Sequence, residues 1–96
     1  MSGPKSPLAP FRARIDRIDR QIVALLVQRA KLARQIGAAK RAAGLPIYEK
    51  SREQQVLDKV EGFRQAPLGS NGLARIYRSI MLTMRRVQVK DTKGRS

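Results

Sequence analysis

The sequence predicts an all-α fold with three helices per chain, the longest packed against its counterpart in a second copy of the chain. Apolar residues recur at helical spacing in three segments of the 96 residues, and no segment shows the alternation typical of a strand. Residues 11–43 contain no proline and a single glycine, Gly37, so one uninterrupted helix can span them.

The first helix is predicted from Ala9 or Pro10 to Ala43, and an apolar seam runs along it. The seam consists of the residues reached by alternating steps of four and three: Phe11, Ile15, Ile18, Ile22, Leu25, Arg29, Leu32, Ile36, Ala39 and Ala43. At ~1.5 Å per residue the helix spans about 50 Å, whereas a compact monomer of this length has a radius of gyration of ~12–13 Å. We therefore expect a homodimer in which the two long helices pack together.

The end of the first helix and the start of the second both carry recognisable signals. Gly44 stands at the C-cap position, and Pro46 cannot continue the helix. Ser51–Gln54 has the S-x-x-Q pattern of a capping box, although helix 2 could begin a residue or two earlier. Helix 2 is predicted to present one apolar face, formed by Val56, Leu57, Val60 and Phe63.

A loop precedes the third predicted helix. Turn residues dominate Ala66–Gly72, and either Ser70 or Asn71 can serve as the N-cap of helix 3. From Leu73 to Val87, apolar residues again recur at helical spacing.

The two ends of the chain differ in composition from the helical part. We predict a helical domain at 11–89 between a flexible N-terminal arm at 1–10 and a flexible basic tail at 90–96. No apolar run reaches the length of a membrane span, and the arm lacks the hydrophobic core of a signal peptide. We therefore expect a cytoplasmic protein without a membrane partner.

Composition restricts the chemistry that the chain can perform. There is no cysteine and no histidine, which removes the thiol nucleophile, the usual general base and the usual transition-metal ligands. We expect neither a metal nor a cofactor. With 21 Lys+Arg against 7 Asp+Glu, the formal net charge is +14. Such a surface attracts nucleic acid, membrane headgroups or small acidic metabolites, and charge alone does not choose among them.

Three polar residues stand where the helical pattern calls for apolar ones. Arg29 lies within the seam, where a buried guanidinium is costly without an anion beside it. Lys40 follows after about three turns, on nearly the same face and ~16 Å along the axis. Gln88 adjoins the apolar stripe of helix 3. Taken alone, Lys40 and Gln88 also fit edge positions whose polar ends reach water.

Arg12 adds a geometric constraint, because about 42 Å of straight helix separates it from Lys40. Both residues therefore cannot serve one small ligand within one chain. In an antiparallel dimer Arg12 would lie near the far end of the partner, which predicts a composite site. Arg52 and Glu53 open helix 2 near Lys40, although an exposed first-turn pair is the simpler interpretation, with Glu53 favoured by the helix dipole.

Several short motifs follow one another in a fixed order along the chain. They are Phe11–Asp19, Leu25–Ala30, Ile36–Lys40, Leu45–Glu49 and Ser51–Glu53, with Gln88 closing the set. In this order and at these separations, the chain resembles the all-helical (AroQ-type) chorismate mutase domain over roughly residues 11–88. The resemblance implies an intertwined dimer of three-helix subunits that converts chorismate to prephenate by a Claisen rearrangement. That reaction needs no nucleophile, proton transfer, metal or cofactor.

The resemblance also assigns roles to the polar residues singled out above. Arg29 would grip one substrate carboxylate from within the subunit, and Arg12 of the partner subunit would hold the other. Lys40 would contact a carboxylate and the breaking ether oxygen, to which Gln88 would also hydrogen-bond. Arg29, Lys40 and Gln88 are thus the expected catalytic residues.

Four further positions would complete the substrate pocket. By the same resemblance, Glu53 would accept a hydrogen bond from the ring hydroxyl, Glu49 would be a nearby acidic position, and Arg52 would line the pocket. Met84 stands where many members carry a small polar residue, so one minor polar contact is lost.

Three alternatives remain open at the level of sequence. Isochorismate pyruvate lyase and aminodeoxychorismate mutase need a similar cationic pocket, although the acidic pair Glu49 and Glu53 favours a hydroxyl-bearing substrate. A nucleic-acid-binding protein would explain the charge and the basic residues Arg85, Arg86, Lys90, Lys93 and Arg95. Scattered basic residues and few aromatic ones argue against it. The basic tail could also dock an activating enzyme of the aromatic pathway.

Overall fold

The structure is a computed structural model that describes residues 6–63 and 66–92. Helix α1 spans Ala9–Ala43, α2 spans Lys50–Glu61 and α3 spans Gly69–Thr92, and neither described range contains a strand. The prediction of an all-α chain with three helices is confirmed. None of the helices in these ranges is both long and apolar enough to cross a membrane.

Helix α1 has the predicted bounds. Pro10 lies in its first turn, where a missing N–H costs nothing. Gly44 ends the helix with φ of 69°, a left-handed conformation that favours glycine, and its N–H donates to the carbonyl oxygen of Arg41 at 3.2 Å. The next N–H, that of Leu45, donates to the carbonyl oxygen of Lys40 at 2.8 Å and completes the cap.

Helix α2 differs from the prediction at both of its ends. It begins at Lys50, so Ser51 already has helical neighbours on both sides, and the N-cap residue is Glu49, without a side-chain cap. The predicted capping box at Ser51–Gln54 is therefore wrong. The helix ends at Glu61, so Phe63 lies beyond its end and is exposed instead of extending its apolar face.

Helix α3 begins at Gly69, before either of its predicted N-caps. Ser70 and Asn71 therefore belong to the helix, and the prediction of a loop through residue 72 is wrong from Gly69 onward. At the other end α3 continues to Thr92, into the segment assigned to the basic tail. The remainder of that tail, 93–96, and the first five residues of the N-terminal arm lie outside the described residues, so their flexibility stays a prediction.

Helix α3 packs against both other helices and forms a small core with them. On α1 it covers Ala33, Gly37 and Lys40, a stripe beside the seam and not the seam itself. The described chain is consequently open and elongated, measuring 58 × 33 × 14 Å with a radius of gyration of 17.5 Å.

The seam of α1 is uncovered in a single chain. Its seven large apolar side chains are between 47% and 62% exposed; they are Phe11, Ile15, Ile18, Ile22, Leu25, Leu32 and Ile36. A contiguous apolar surface of this kind is typical of an interface. The apolar residues whose spacing predicted helix α1 are therefore mostly uncovered when the chain is alone.

Candidate active site

A cleft of about 550 Å³ lies among the three helices, where the second half of α1 faces the start of α2 and the second half of α3. The structure brings seven of the eight predicted site residues to this cleft: Arg29, Lys40, Glu49, Arg52, Glu53, Met84 and Gln88. The eighth, Arg12, is exposed near the start of α1 and does not line it.

Lys40 is the most constrained polar residue of the cleft. The residue is only 8% exposed, and its Nζ donates to the carbonyl oxygen of Ile47 at 2.6 Å and to Oε1 of Gln88 at 3.1 Å. Oε1 of Glu49 lies 3.3 Å from the same nitrogen. An ammonium group has three donors, and here three oxygens surround it. Lys40 is therefore a buried, oriented cation and not an edge position that reaches water.

The two arginines of the cleft are held less tightly. Arg29 is half-buried in the seam, and no carboxylate among the side chains that the structure describes (6–63, 66–69 and 71–89) forms an ion pair with it. Arg52 is exposed and donates through Nη1 to Oε1 of Gln55 at 3.4 Å. Both guanidinium groups thus remain available to an anionic ligand.

Glu53 has a partner that the sequence analysis did not identify as a site residue. Nη2 and Nε of Arg85 donate to Oε1 and Oε2 of Glu53 at 2.9 and 3.2 Å. The hydrogen bond to Glu53, opposed by desolvation and aided by the charge of Glu53, raises the pKa of Arg85 above its ordinary value. Arg85 lies one turn after Met81 and one turn before Gln88, and this helical spacing could have placed it beside the site.

Charge in and beside the cleft is unevenly matched. Glu49 is paired with Lys40 and Glu53 with Arg85, so both carboxylates are neutralised. Arg29 and Arg52 remain, leaving an excess of two positive charges. The side chains therefore suit a small ligand with two negative charges, held by charge and hydrogen bonds.

Gly37 permits the close crossing of α1 and α3 beside this cleft. A Cβ atom at Gly37 would lie 3.2 Å from both Cα and Cβ of Gln88. We predict that Gly37→Ala pushes Gln88 away from Lys40 and lowers the free energy of unfolding by about 1–2 kcal/mol, as overpacking does. Urea unfolding, together with the activity tested below, measures both effects.

Gly72 offers a matched control for this substitution. It lies in α3, and the nearest atom to an added Cβ, the Cβ of Leu68, is 3.9 Å away. Gly72→Ala should therefore raise the free energy of unfolding by up to about 1 kcal/mol through helix propensity. Equal stability of the two alanine variants would contradict the close-crossing role of Gly37.

Comparison with known proteins identifies the family of the chain. The sequence profile of the chorismate mutase type II family matches residues 11–89. The chain belongs to the chorismate mutase type II family. The resemblance drawn from the ordered motifs is thereby confirmed, and the match covers all of α2 and all but the outer ends of α1 and α3.

Individual chorismate mutases and bifunctional relatives agree with this assignment. The bifunctional chorismate mutase/prephenate dehydratase of Aquifex aeolicus is 40% identical over 78 residues, covering 77% of this chain and 22% of that protein. The chorismate mutase of Methanocaldococcus jannaschii is 36% identical over 53 residues, or 55% of this chain and 54% of that one. The intracellular chorismate mutase of Mycobacterium bovis is 35% identical over 71 residues, or 74% and 63%. The chain spans about a fifth of the first of these relatives.

Proposed function

We propose that this chain is a chorismate mutase, an isomerase that converts chorismate to prephenate in phenylalanine and tyrosine biosynthesis. The observation that carries the proposal is the convergence of Arg29, Lys40 and Gln88 from two helices on one cleft, in a chain of this family. Chorismate is a small dianion, and the excess of two positive charges at the cleft complements it.

Holding the substrate is the first task of these side chains. Chorismate is flexible and must reach a compact, chair-like conformer before its bond rearrangement can occur, so positioning lowers the barrier. Arg29 would bind one carboxylate with its two-pronged guanidinium group, a geometry that matches carboxylate oxygens. Arg12 of the partner subunit would bind the other carboxylate, because Arg12 does not line the cleft of its own chain.

Charge stabilisation is the second task, and Lys40 and Gln88 would perform it. Negative charge grows on the ether oxygen as the C–O bond breaks. Ile47 and Glu49 already hold the Lys40 ammonium in place, and the ether oxygen would take the position on Nζ now filled by Gln88. Gln88 would then donate its amide N–H to the same oxygen. A preorganised donor of this kind contributes ~3–4 kcal/mol to stabilising a transition state.

The remaining predicted residues complete the pocket. Glu53 would accept the hydrogen bond of the ring hydroxyl, and Glu49 would keep Lys40 oriented. Arg52 would add positive charge at the entrance. Met84 is 6% exposed and lines the cleft with an apolar side chain, so it would pack against the substrate without a hydrogen bond.

We propose the intertwined homodimer as the active form. The exposed seam supports it, since its seven large apolar side chains need a cover that one chain does not supply. Antiparallel pairing of the two α1 helices would cover the seam and bring Arg12 of the partner subunit to the cleft.

A charge placed on the seam should separate the subunits. Leu25 is 62% exposed in the single chain, and Leu25→Lys would bury an unpaired ammonium in the proposed interface, at a cost of several kcal/mol. We expect monomers or unfolded chains in sedimentation experiments, with loss of activity. Val27→Lys is the matched control, because Val27 is exposed and lies on nearly the opposite face of α1, about 160° around the helix from Leu25. An active Leu25→Lys dimer would rule out the seam as the interface.

Turnover of chorismate by the purified chain tests the function directly. The chain should be expressed in a host without chorismate mutases of its own, and its products identified by NMR. Prephenate from chorismate supports the proposal. Pyruvate from isochorismate, or a rearranged amino analogue, with chorismate left intact, would favour isochorismate pyruvate lyase or aminodeoxychorismate mutase instead.

Three further questions have separate tests: nucleic-acid binding, activation by a partner enzyme, and localisation. Binding of duplex DNA without turnover would favour a nucleic-acid-binding protein, although Arg85 is already engaged by Glu53. Activation by an aromatic-pathway enzyme would appear as a higher rate when that enzyme is added, and removal of residues 93–96 would abolish the increase if the tail is the docking segment. Cytoplasmic localisation belongs to the same proposal and is tested by cell fractionation.

A further inference from the structure

We propose that Arg85 is a positioning residue that holds Glu53 ready for the ring hydroxyl and so makes that hydroxyl a condition for rapid turnover. This inference rests on the proposed function. Glu53 lines the cleft, whereas Arg85 does not and contacts Glu53 from outside the cleft lining.

The geometry of the pair fixes the plane of the Glu53 carboxylate. Two parallel N–H donors of one guanidinium group reach two different oxygens, at 2.9 and 3.2 Å. A carboxylate bound by one donor can rotate, whereas this two-point contact prevents rotation about the terminal bond. Each oxygen retains a further acceptor site. Glu53 therefore offers the cleft an acceptor of defined direction.

Tyr48 holds Arg85 in turn. The guanidinium carbon lies over the Tyr48 ring, 4.1 Å from its centre, a cation–π contact made while Nε and Nη2 donate to Glu53. Tyr48 belongs to the connection between α1 and α2, next to Glu49, the partner of Lys40. Arg85 on α3 thus ties the connection and α2 together at the point where Glu53 and Glu49 enter the cleft.

The consequence is a form of substrate selection. Glu53 with its charge matched by Arg85 is an acceptor only, so a ring that carries a hydrogen-bond donor gains a charge-assisted bond and a ring without one does not. Such a bond contributes about 1.5–3 kcal/mol, or roughly 10–100-fold in kcat/KM. If Arg85 positions Glu53, loss of Arg85 removes this preference and leaves the rest of the reaction.

Comparing chorismate with its analogue that lacks the ring hydroxyl tests this. Arg85→Met should lower kcat/KM for chorismate about 10–100-fold more than kcat/KM for the analogue, because the analogue is affected only by the loss of one positive charge beside the cleft. Arg85→Lys, which keeps the charge but not the fork, should fall between. Arg86→Met is the matched control, because Arg86 is the exposed neighbouring arginine of α3, and it should behave as wild type.

Two results would overturn the inference. If Arg85→Met lowers kcat/KM for both substrates by the same factor, Arg85 supports the structure of the site but has no role in substrate selection. If it behaves as Arg86→Met does, the contact with Glu53 has no effect on turnover. Both results presuppose a wild-type chain that converts chorismate.

A wild-type chain that leaves chorismate intact would instead contradict the proposed function, and the selection inferred here with it. The contact between Arg85 and Glu53 can then be tested without substrate, by measuring the free energy of unfolding in urea for Arg85→Met, Glu53→Gln and the double variant. Loss of stability in the double variant that is smaller than the sum of the two single losses supports the pair. Simple additivity shows that Arg85 does not hold Glu53.

Discussion

Replacing Lys40 with methionine should lower kcat for chorismate by about 10²–10³-fold, the effect expected when one preorganised donor to a developing negative charge is removed. The structure gives Lys40 the features that such a donor requires. It is 8% exposed, and Ile47 and Glu49 hold Nζ in place beside Gln88. Methionine has a similar length and no charge, so the substitution removes the donor with little change in volume.

The matched control is Lys31→Met on the same helix. Lys31 is exposed and lies outside the cleft, so this variant should retain wild-type kcat. Lys40→Met leaves the carbonyl oxygen of Ile47 and the carboxylate of Glu49 without their donor, and we expect it to lose ~1–3 kcal/mol of stability. Circular dichroism and sedimentation would show whether the fold and the dimer survive. A folded Lys40→Met dimer with wild-type kcat would remove Lys40 from the mechanism.

Mixing two inactive variants should restore activity. In the proposed dimer each site takes Lys40 from one subunit and Arg12 of the partner subunit. Arg12→Ala and Lys40→Met homodimers should each be inactive, whereas a mixed dimer has one intact site and one doubly altered site. After subunit exchange at equal amounts, up to about a quarter of wild-type activity should return, because half of the dimers are mixed.

A second mixture serves as the control. Arg29 and Lys40 line the cleft of the same chain, so mixing Arg29→Ala with Lys40→Met leaves no site intact and should restore nothing. Native mass spectrometry of chains of different mass would show that exchange has occurred in both mixtures. If Arg12→Ala and Lys40→Met subunits exchange but no activity returns, the assignment of Arg12 to the site of the partner subunit is wrong.

Local chemistry made the helices predictable in part. The bounds of α1 follow from Pro10, which is tolerated in a first turn, and from Gly44, whose left-handed backbone is easy only for glycine. Caps based on polar side chains were less reliable. Ser51, Ser70 and Asn71 are capping residue types, yet all three lie inside helices that begin earlier.

The candidate site was predictable to the extent that its members break a pattern or belong to a motif. Arg29 stands out in an apolar seam, and the ordered motifs contain five more of the seven residues that the structure gathers at the cleft. The seventh, Met84, was named as a departure from the family pattern. Arg85 does not break a pattern, because it lies among other basic residues near the end of the chain. Its helical spacing from Met81 and Gln88 places it on the side of α3 that faces the site, but only its contacts with Glu53 and Tyr48 indicate a role there.

The sequence by itself determined three helices, the family, and a long apolar seam along the first helix. Periodicity and glycine and proline positions are local properties, so they can be read without knowing how the helices pack. Tertiary structure alone decided that α3 covers Ala33, Gly37 and Lys40 and leaves the seam open. It also decided that Lys40 is a buried cation surrounded by three oxygens, because these come from residues beyond its own helix.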